Sequence, residues 1–149
     1  DHSQPWLIVK PRKLHEKQVI ISRSALYINP RFDWHSILRH HRKRAIFLGL
    51  PKEYARFKNK FGADINFEPT DNLYEVAELV AGADLFIGNQ CVPFAIAEGL
   101  KKPVILEASA THPSCVFPRK GIRIHWCGLQ PKFTPGYNFS VKTDSYWEY

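Results

Sequence analysis

Methionine is absent from all 149 residues, and the chain begins at Asp1. It therefore reads as a processed product or a piece of something longer, and any targeting signal would have been lost with the missing start. No stretch approaches the roughly 20 apolar residues of a membrane-spanning helix. The opening DHSQPWLIVKPRK lacks the basic-then-apolar order of a secretory leader. Cysteine is scarce: Cys91, Cys115 and Cys127. An odd, small set makes no disulfide framework and fits a reducing compartment, so a cytoplasmic location is expected, with a single Cys115–Cys127 bridge left open. There is no Gly-Lys-Ser/Thr of a phosphate-binding P-loop and no three-glycine dinucleotide fingerprint. No Ser–His–Asp set or carboxylate pair can be argued from spacing, so no catalytic residue is assigned. Internal repeats and low-complexity segments are also missing.

What the chain does have is charge of one sign. Lysine and arginine number 21 against 14 aspartates and glutamates, a net charge of +7 with pI near 9.4. That balance favours anionic partners such as nucleotides or nucleic acid. The 44% hydrophobic content is that of a folded domain, and the length suits one domain with a tail.

Residues 1–16 read as an extended lead-in. Pro5 and Pro11 break it, Trp6, Leu7 and Ile8 anchor it on the body, and Lys10, Arg12 and Lys13 form a basic cluster. Residues 17–125 read as an α/β domain. Gln18 to Ser22 is an unalternating apolar run of the kind that is covered on both faces of a sheet. Asp33 caps a helix from Trp34 to about His41. A second strand covers Ala45 to Leu48, a helix runs from Pro51 to about Lys60, and Gly62 stops it. Ile65 to Phe67 is a short strand. Thr70, Asp71 or Asn72 caps a helix through Ala81, with Leu73, Val76, Ala77 and Val80 at i, i+3, i+4, i+7.

The segment ADLFIGNQCVPFAIAEGLKKPVILE, Ala83 to Glu107, is the centre of the pattern: strand, tight turn, helix, turn, strand. Ile122 to His125 can add one more strand. Residues 126–149 form an irregular tail dense in aromatics (Trp126, Phe133, Tyr137, Phe139, Tyr146, Trp147, Tyr149), expected to pack on its own domain or on a neighbour. The alternation predicts an open parallel sheet of about five to six strands with helices on both faces. Ligands of such sheets bind at the carboxyl ends of the strands, where the strand order reverses.

At that edge the turn Gly88, Asn89, Gln90, Cys91 leads into a helix start at Pro93. A helix start offers free N–H groups and a positive dipole end to an anion. Arg23 and Arg31 flank the loop after the first strand and are set against two readings: a bidentate pairing with a diphosphate at the same edge, or two solvated arginines. Glu98, about two turns into the helix, is set against two readings: a contact to ribose hydroxyls or a surface glutamate. The run Arg39 to Arg44 ends a helix, where cations oppose its dipole, and with Lys10 to Lys13 offers an alternative nucleic-acid or protein surface. His112, Cys115, His125 and Cys127 match no common zinc spacing, and no metal site is assigned. Asn138-Phe139-Ser140 has the form of a glycosylation acceptor.

The Ala83–Glu107 segment resembles the C-terminal nucleotide-sugar-binding domain of GT-B glycosyltransferases, and most nearly the lipopolysaccharide heptosyltransferase family. NLYEVAELVAGA and AIFLGLPKEYARF are similar to the neighbouring elements of that family. Gly88, Asn89 and Pro93 match its motif, whereas Gln90, Cys91, Val92 and Ala95 replace its Asp, Ser, Gly and His. The resemblance implies a Rossmann-like half of a GT-B fold that binds a nucleotide-diphosphate sugar as substrate, with no separate cofactor. The implied contacts are Arg23, Arg31, Gly88, Asn89, Gln90, Cys91, Pro93 and Glu98. Transfer of the sugar would require a second, acceptor-binding domain in a longer chain or a partner, or a homo-oligomer formed through the aromatic tail.

Overall fold

A computed structural model describes residues 4–127. Six strands form one fully parallel sheet: β1 (Val19–Ser22), β2 (Ala45–Phe47), β3 (Asn66–Phe67), β4 (Leu85–Asn89), β5 (Val104–Ser109) and β6 (Ile122–Cys127). Their order in the sheet is β3-β2-β1-β4-β5-β6. The chain builds outward from β1 to β3, then returns to the other side of β1 to lay down β4, β5 and β6. The reversal point lies between β1 and β4, whose register pairs Ile20 with Phe86 and Ser22 with Gly88.

Four helices cover the sheet: α1 (Trp34–His41), α2 (Pro51–Phe61), α3 (Leu73–Ala81) and α4 (Val92–Gly99). Successive strand residues point to opposite faces. Val19, Ile21, Phe47 and Ile87 pack under Trp34, Ile37 and Phe57 of α1 and α2. Ile20, Ile46, Phe86 and Leu106 pack under Leu79, Val80, Phe94 and Ala97 of α3 and α4. This is why the strands read as unbroken apolar runs: every position meets a core. Each such large side chain contributes about 1.5–3 kcal/mol by leaving water.

The helix starts follow local chemistry. Asp33 accepts from Ser36 N–H at 3.0 Å, and Asn72 accepts from Glu75 N–H at 3.0 Å, which selects Asn72 from the three expected caps. α2 ends at Gly62 in the left-handed conformation, φ 60°. β4 and β5 run further than the sequence pattern predicts, to Asn89 and Ser109, and β6 continues through Trp126 and Cys127. Trp126 and Cys127, expected in the tail, belong to β6 instead, and the tail's remaining aromatics and Asn138-Phe139-Ser140 lie outside the described residues.

The lead-in crosses the α3–α4 face. Trp6 and Leu7 N–H groups both donate to Gly99 O, and Arg12 N–H donates to Glu78 O. The strap lies so close that a Cβ on Gly82 would sit 2.1 Å from Arg12 O, so only glycine fits there. Ile8 does not anchor the strap as expected; it is 93% exposed. Two of the basic residues are tied internally, Arg12 to Glu68 and Lys13 to Asp84.

Candidate functional site

The carboxyl ends of β1 to β4 open into a cavity of about 990 Å³. It lies at the point where the strand order reverses. Its mouth carries six large apolar side chains that are more than half exposed: Trp6, Leu26, Leu50, Leu73, Val92 and Phe117. Among the described residues the lining holds no lysine or arginine, while Glu53, Asp71 and Glu98 supply carboxylates.

The turn after β4 is placed where the sequence suggests, but its polar side chains are already engaged. Asn89, fully buried, accepts from Ser24 N–H at 3.0 Å and donates to the carbonyls of Ser24 and Leu26. Gln90 accepts from Ser109 N–H at 2.7 Å and donates to His112 O at 2.6 Å. The two amides thus tie the turn to the loops after β1 and β5. A buried amide spent on backbone groups is costly to withdraw, about 1–3 kcal/mol for each polar group left unpaired. Gly88 lies inside β4, not at its end, and a Cβ there would stand 2.2 Å from Ser22 O. Its part in the site is to let β1 and β4 approach.

Cys91 is the N-cap of α4 and lines the cavity. Its Sγ stands 3.6 Å from Ser22 Oγ. Burial pushes the thiol up to about 11, despite opposing hydrogen bonds from Ser22 and the Phe94 backbone, so it stays protonated at neutral pH. The cysteines among the described residues are all free thiols. Pro93 occupies the first turn of α4 and borders the cavity with Val92.

Glu98 lines the cavity and is buried, which overturns the surface-glutamate reading. Arg119 Nε donates to both its oxygens, at 3.1 and 2.9 Å, and Lys101 Nζ donates at 2.5 Å. Lys101 lies three residues on, a spacing visible in the sequence; Arg119 arrives from the loop before β6.

Arg23 departs most from its expected role. Its Nε and Nη2 donate to Glu107 at 2.7 and 2.9 Å in a buried bidentate pair. The fork expected to grip a diphosphate is therefore occupied by Glu107. Glu107 also accepts from Asn29 N–H at 2.8 Å and Trp34 Nε1 at 2.9 Å. This fully buried carboxylate is a part of the edge that sequence reasoning missed, because its partners lie 73 to 84 residues away. Arg31 is exposed and lines neither this cavity nor the smaller one beside it; its N–H donates to Asn29 Oδ1.

The smaller cavity, about 570 Å³, lies between α2 and the loop after β1. It shares Ser24 and Glu53 with the larger one, and Arg23, Arg56 and Lys60 line it. His112 and Cys115 do not join His125 and Cys127 in a metal cluster: among the described residues no three potential ligands gather. No helix among them is long and apolar enough to cross a membrane.

No family model and no curated protein matches the chain. Among solved structures, the dodecameric iron-containing heptosyltransferase TibC, solved in complex with ADP-D-beta-D-heptose, shares the fold with a TM-score of 0.56 at 19% identity. The likeness covers 81% of this chain and 35% of that one, so the chain spans about a third of that enzyme's length. The architecture is a distant glycosyltransferase-like, Rossmann-like α/β fold.

Proposed function

We propose that the chain is the nucleotide-sugar-binding portion of a glycosyltransferase-like protein of GT-B type, and that the 990 Å³ cavity receives the nucleotide. The observation that carries this reading is position: the cavity opens where the strand order reverses, at the carboxyl edge of a parallel sheet. Its lining supports the reading. Apolar walls suit a base, and the Asp71 carboxylate at the rim offers an acceptor to sugar hydroxyls. The heptosyltransferase of similar fold was solved with a nucleotide sugar. Transfer itself belongs to a larger assembly, because the chain spans only about a third of that enzyme. A cytoplasmic setting is part of the same proposal and accords with the free thiols.

Calorimetry with nucleosides and with ADP-, UDP- and GDP-sugars tests it. One nucleoside series is expected to bind with a micromolar to millimolar Kd. Absence of binding at millimolar concentration by a folded sample would overturn the proposal.

The rival reading, a basic surface for nucleic acid or an acidic protein, rests on exposed Arg39, Arg42 and Lys43 at the end of α1. Of the other cluster on which it drew, Arg12 and Lys13 are paired internally with Glu68 and Asp84. Steep loss of polyanion binding with salt would favour it.

A further inference from the structure

The larger cavity offers a nucleotide diphosphate almost nothing cationic, and it presents three carboxylates. A site that takes a nucleotide needs its positive charge nearby. The smaller cavity supplies that charge, and Ser24 and Glu53 are common walls of the two. We infer that this smaller cavity is a phosphoryl-binding notch. It would hold the charged end of the ligand whose base and ribose fill the larger cavity, and it rests on the nucleotide reading above.

Three observations carry the inference. First, Arg56 and Lys60 border the notch, and among the described residues neither has a hydrogen-bond or ion-pair partner; Lys60 Nζ only lies over the Phe61 ring, 5.6 Å from its centroid. Most other basic groups near this edge are spent: Arg119 and Lys101 on Glu98, Arg12 on Glu68. Second, Arg23 lines the notch with its side chain 8% exposed. Its pairing with Glu107 uses Nε and Nη2 and leaves Nη1 with no acceptor among the described residues. A guanidinium held rigidly by one carboxylate, with its remaining donors unused, is preorganised for the oxygens of a second anion such as a phosphoryl group. Third, the one acid of the notch is occupied. Glu53 Oε2 accepts from Leu50 N–H at 2.8 Å at the start of α2, so that carboxylate serves the helix end. Asn59 adds an amide donor to the same wall.

The site differs from the one the sequence pointed to. There, Arg23 and Arg31 were to meet the α4 start; here Arg23 is the floor, and Arg56 and Lys60 of α2 are the arms.

The test compares affinities of a nucleoside, its diphosphate and inorganic pyrophosphate for the wild-type chain and for the double variant Arg56→Ala, Lys60→Ala. Both residues are exposed, so the variant is expected to fold. In the wild type the diphosphate is expected to bind about tenfold or more tightly than the nucleoside, as charge-assisted contacts allow. In the variant that ratio is expected to collapse to about threefold or less. An unchanged ratio overturns the notch and leaves the nucleotide reading standing. If no nucleoside or nucleotide binds, the nucleotide reading fails and pyrophosphate decides the notch alone. Pyrophosphate binding that the double variant abolishes supports a free phosphate site; no pyrophosphate binding overturns it.

Discussion

Glu107 and Glu98 are both buried carboxylates near the carboxyl edge of the sheet, and each is paired with an arginine. Their surroundings differ. Glu107 faces the α1–α2 side and takes four donors from Arg23, Asn29 and Trp34, which come from β1's end, its loop and α1. No water-filled space adjoins it among the cavities described above, and its exposure is 0%. Glu98 faces the α3–α4 side, draws its partners from nearby in the chain, and forms part of a cavity wall. Glu107 itself is thus sealed from both cavities, with only its partner Arg23 reaching the smaller one, whereas Glu98 forms part of the larger cavity's wall. A buried pair is a poor source of net stability, but breaking one partner exposes the full cost of the other.

The sharpest way to break the comparison is to remove each carboxylate. Glu107→Ala leaves the largely buried Arg23 guanidinium, Asn29 N–H and Trp34 Nε1 without their shared acceptor and is expected to cost about 3–5 kcal/mol in denaturant unfolding. Glu98→Ala leaves Arg119 with carbonyl partners at Lys102 and Lys120, so a smaller loss of about 1–3 kcal/mol is expected. Equal losses would erase the distinction between the two sides.

Acid is expected to probe the α1 side next. His41 is buried, with Nδ1 3.1 Å from Arg44 Nη2 and Nε2 without a hydrogen-bond partner among the described residues. Burial, then the charges of Arg44 and His40, pull it from 6.5 to about 4, so it is neutral in the fold. The unfolded chain takes up a proton near pH 6.5 that the fold refuses until about pH 4. Stability present above pH 6.5 is therefore lost as the pH falls toward 4, by up to about 3 kcal/mol. Unfolding free energies at pH 7.5, 6 and 5 should show this slope, and His41→Phe should flatten it.

The smallest effect on stability belongs to the cavity mouth. Leu73→Ser and Val92→Ser remove side chains that are 64% and 55% exposed, and each should change stability by no more than about 0.5 kcal/mol. Their measurable consequence lies in ligand affinity, expected to fall severalfold. A large stability loss would mean that the mouth is closed against the body in solution.

The order of elements was legible because the runs Val19–Ile21, Ala45–Phe47 and Leu85–Ile87 are apolar at every position, which only a doubly covered strand tolerates. The helical spacing of Val76, Ala77 and Val80 was equally plain, although Leu73, counted with them, belongs to the cavity mouth. The position of the larger cavity, where the strand order reverses, accords with the edge that topology picked out. Its composition was not legible. Asn89 and Gln90 looked like ligand contacts because small polar residues at a strand end carry no mark of their partners; those of Asn89 lie 63 and 65 residues away. The apolar mouth was illegible for a related reason. Leu26, Leu50, Val92 and Phe117 sit singly in loops and at helix starts, where no period connects them.

The strap across α3 and α4 sets where the chain's covalent path meets the site. Trp6 borders the cavity while its N–H is fastened to Gly99 O. A group joined just ahead of it by a short flexible link would meet the cavity mouth at an effective concentration on the order of millimolar. A tag or reporter fused there with millimolar affinity for the apolar mouth becomes an intramolecular competitor, which a weak ligand titrated against such a protein must displace.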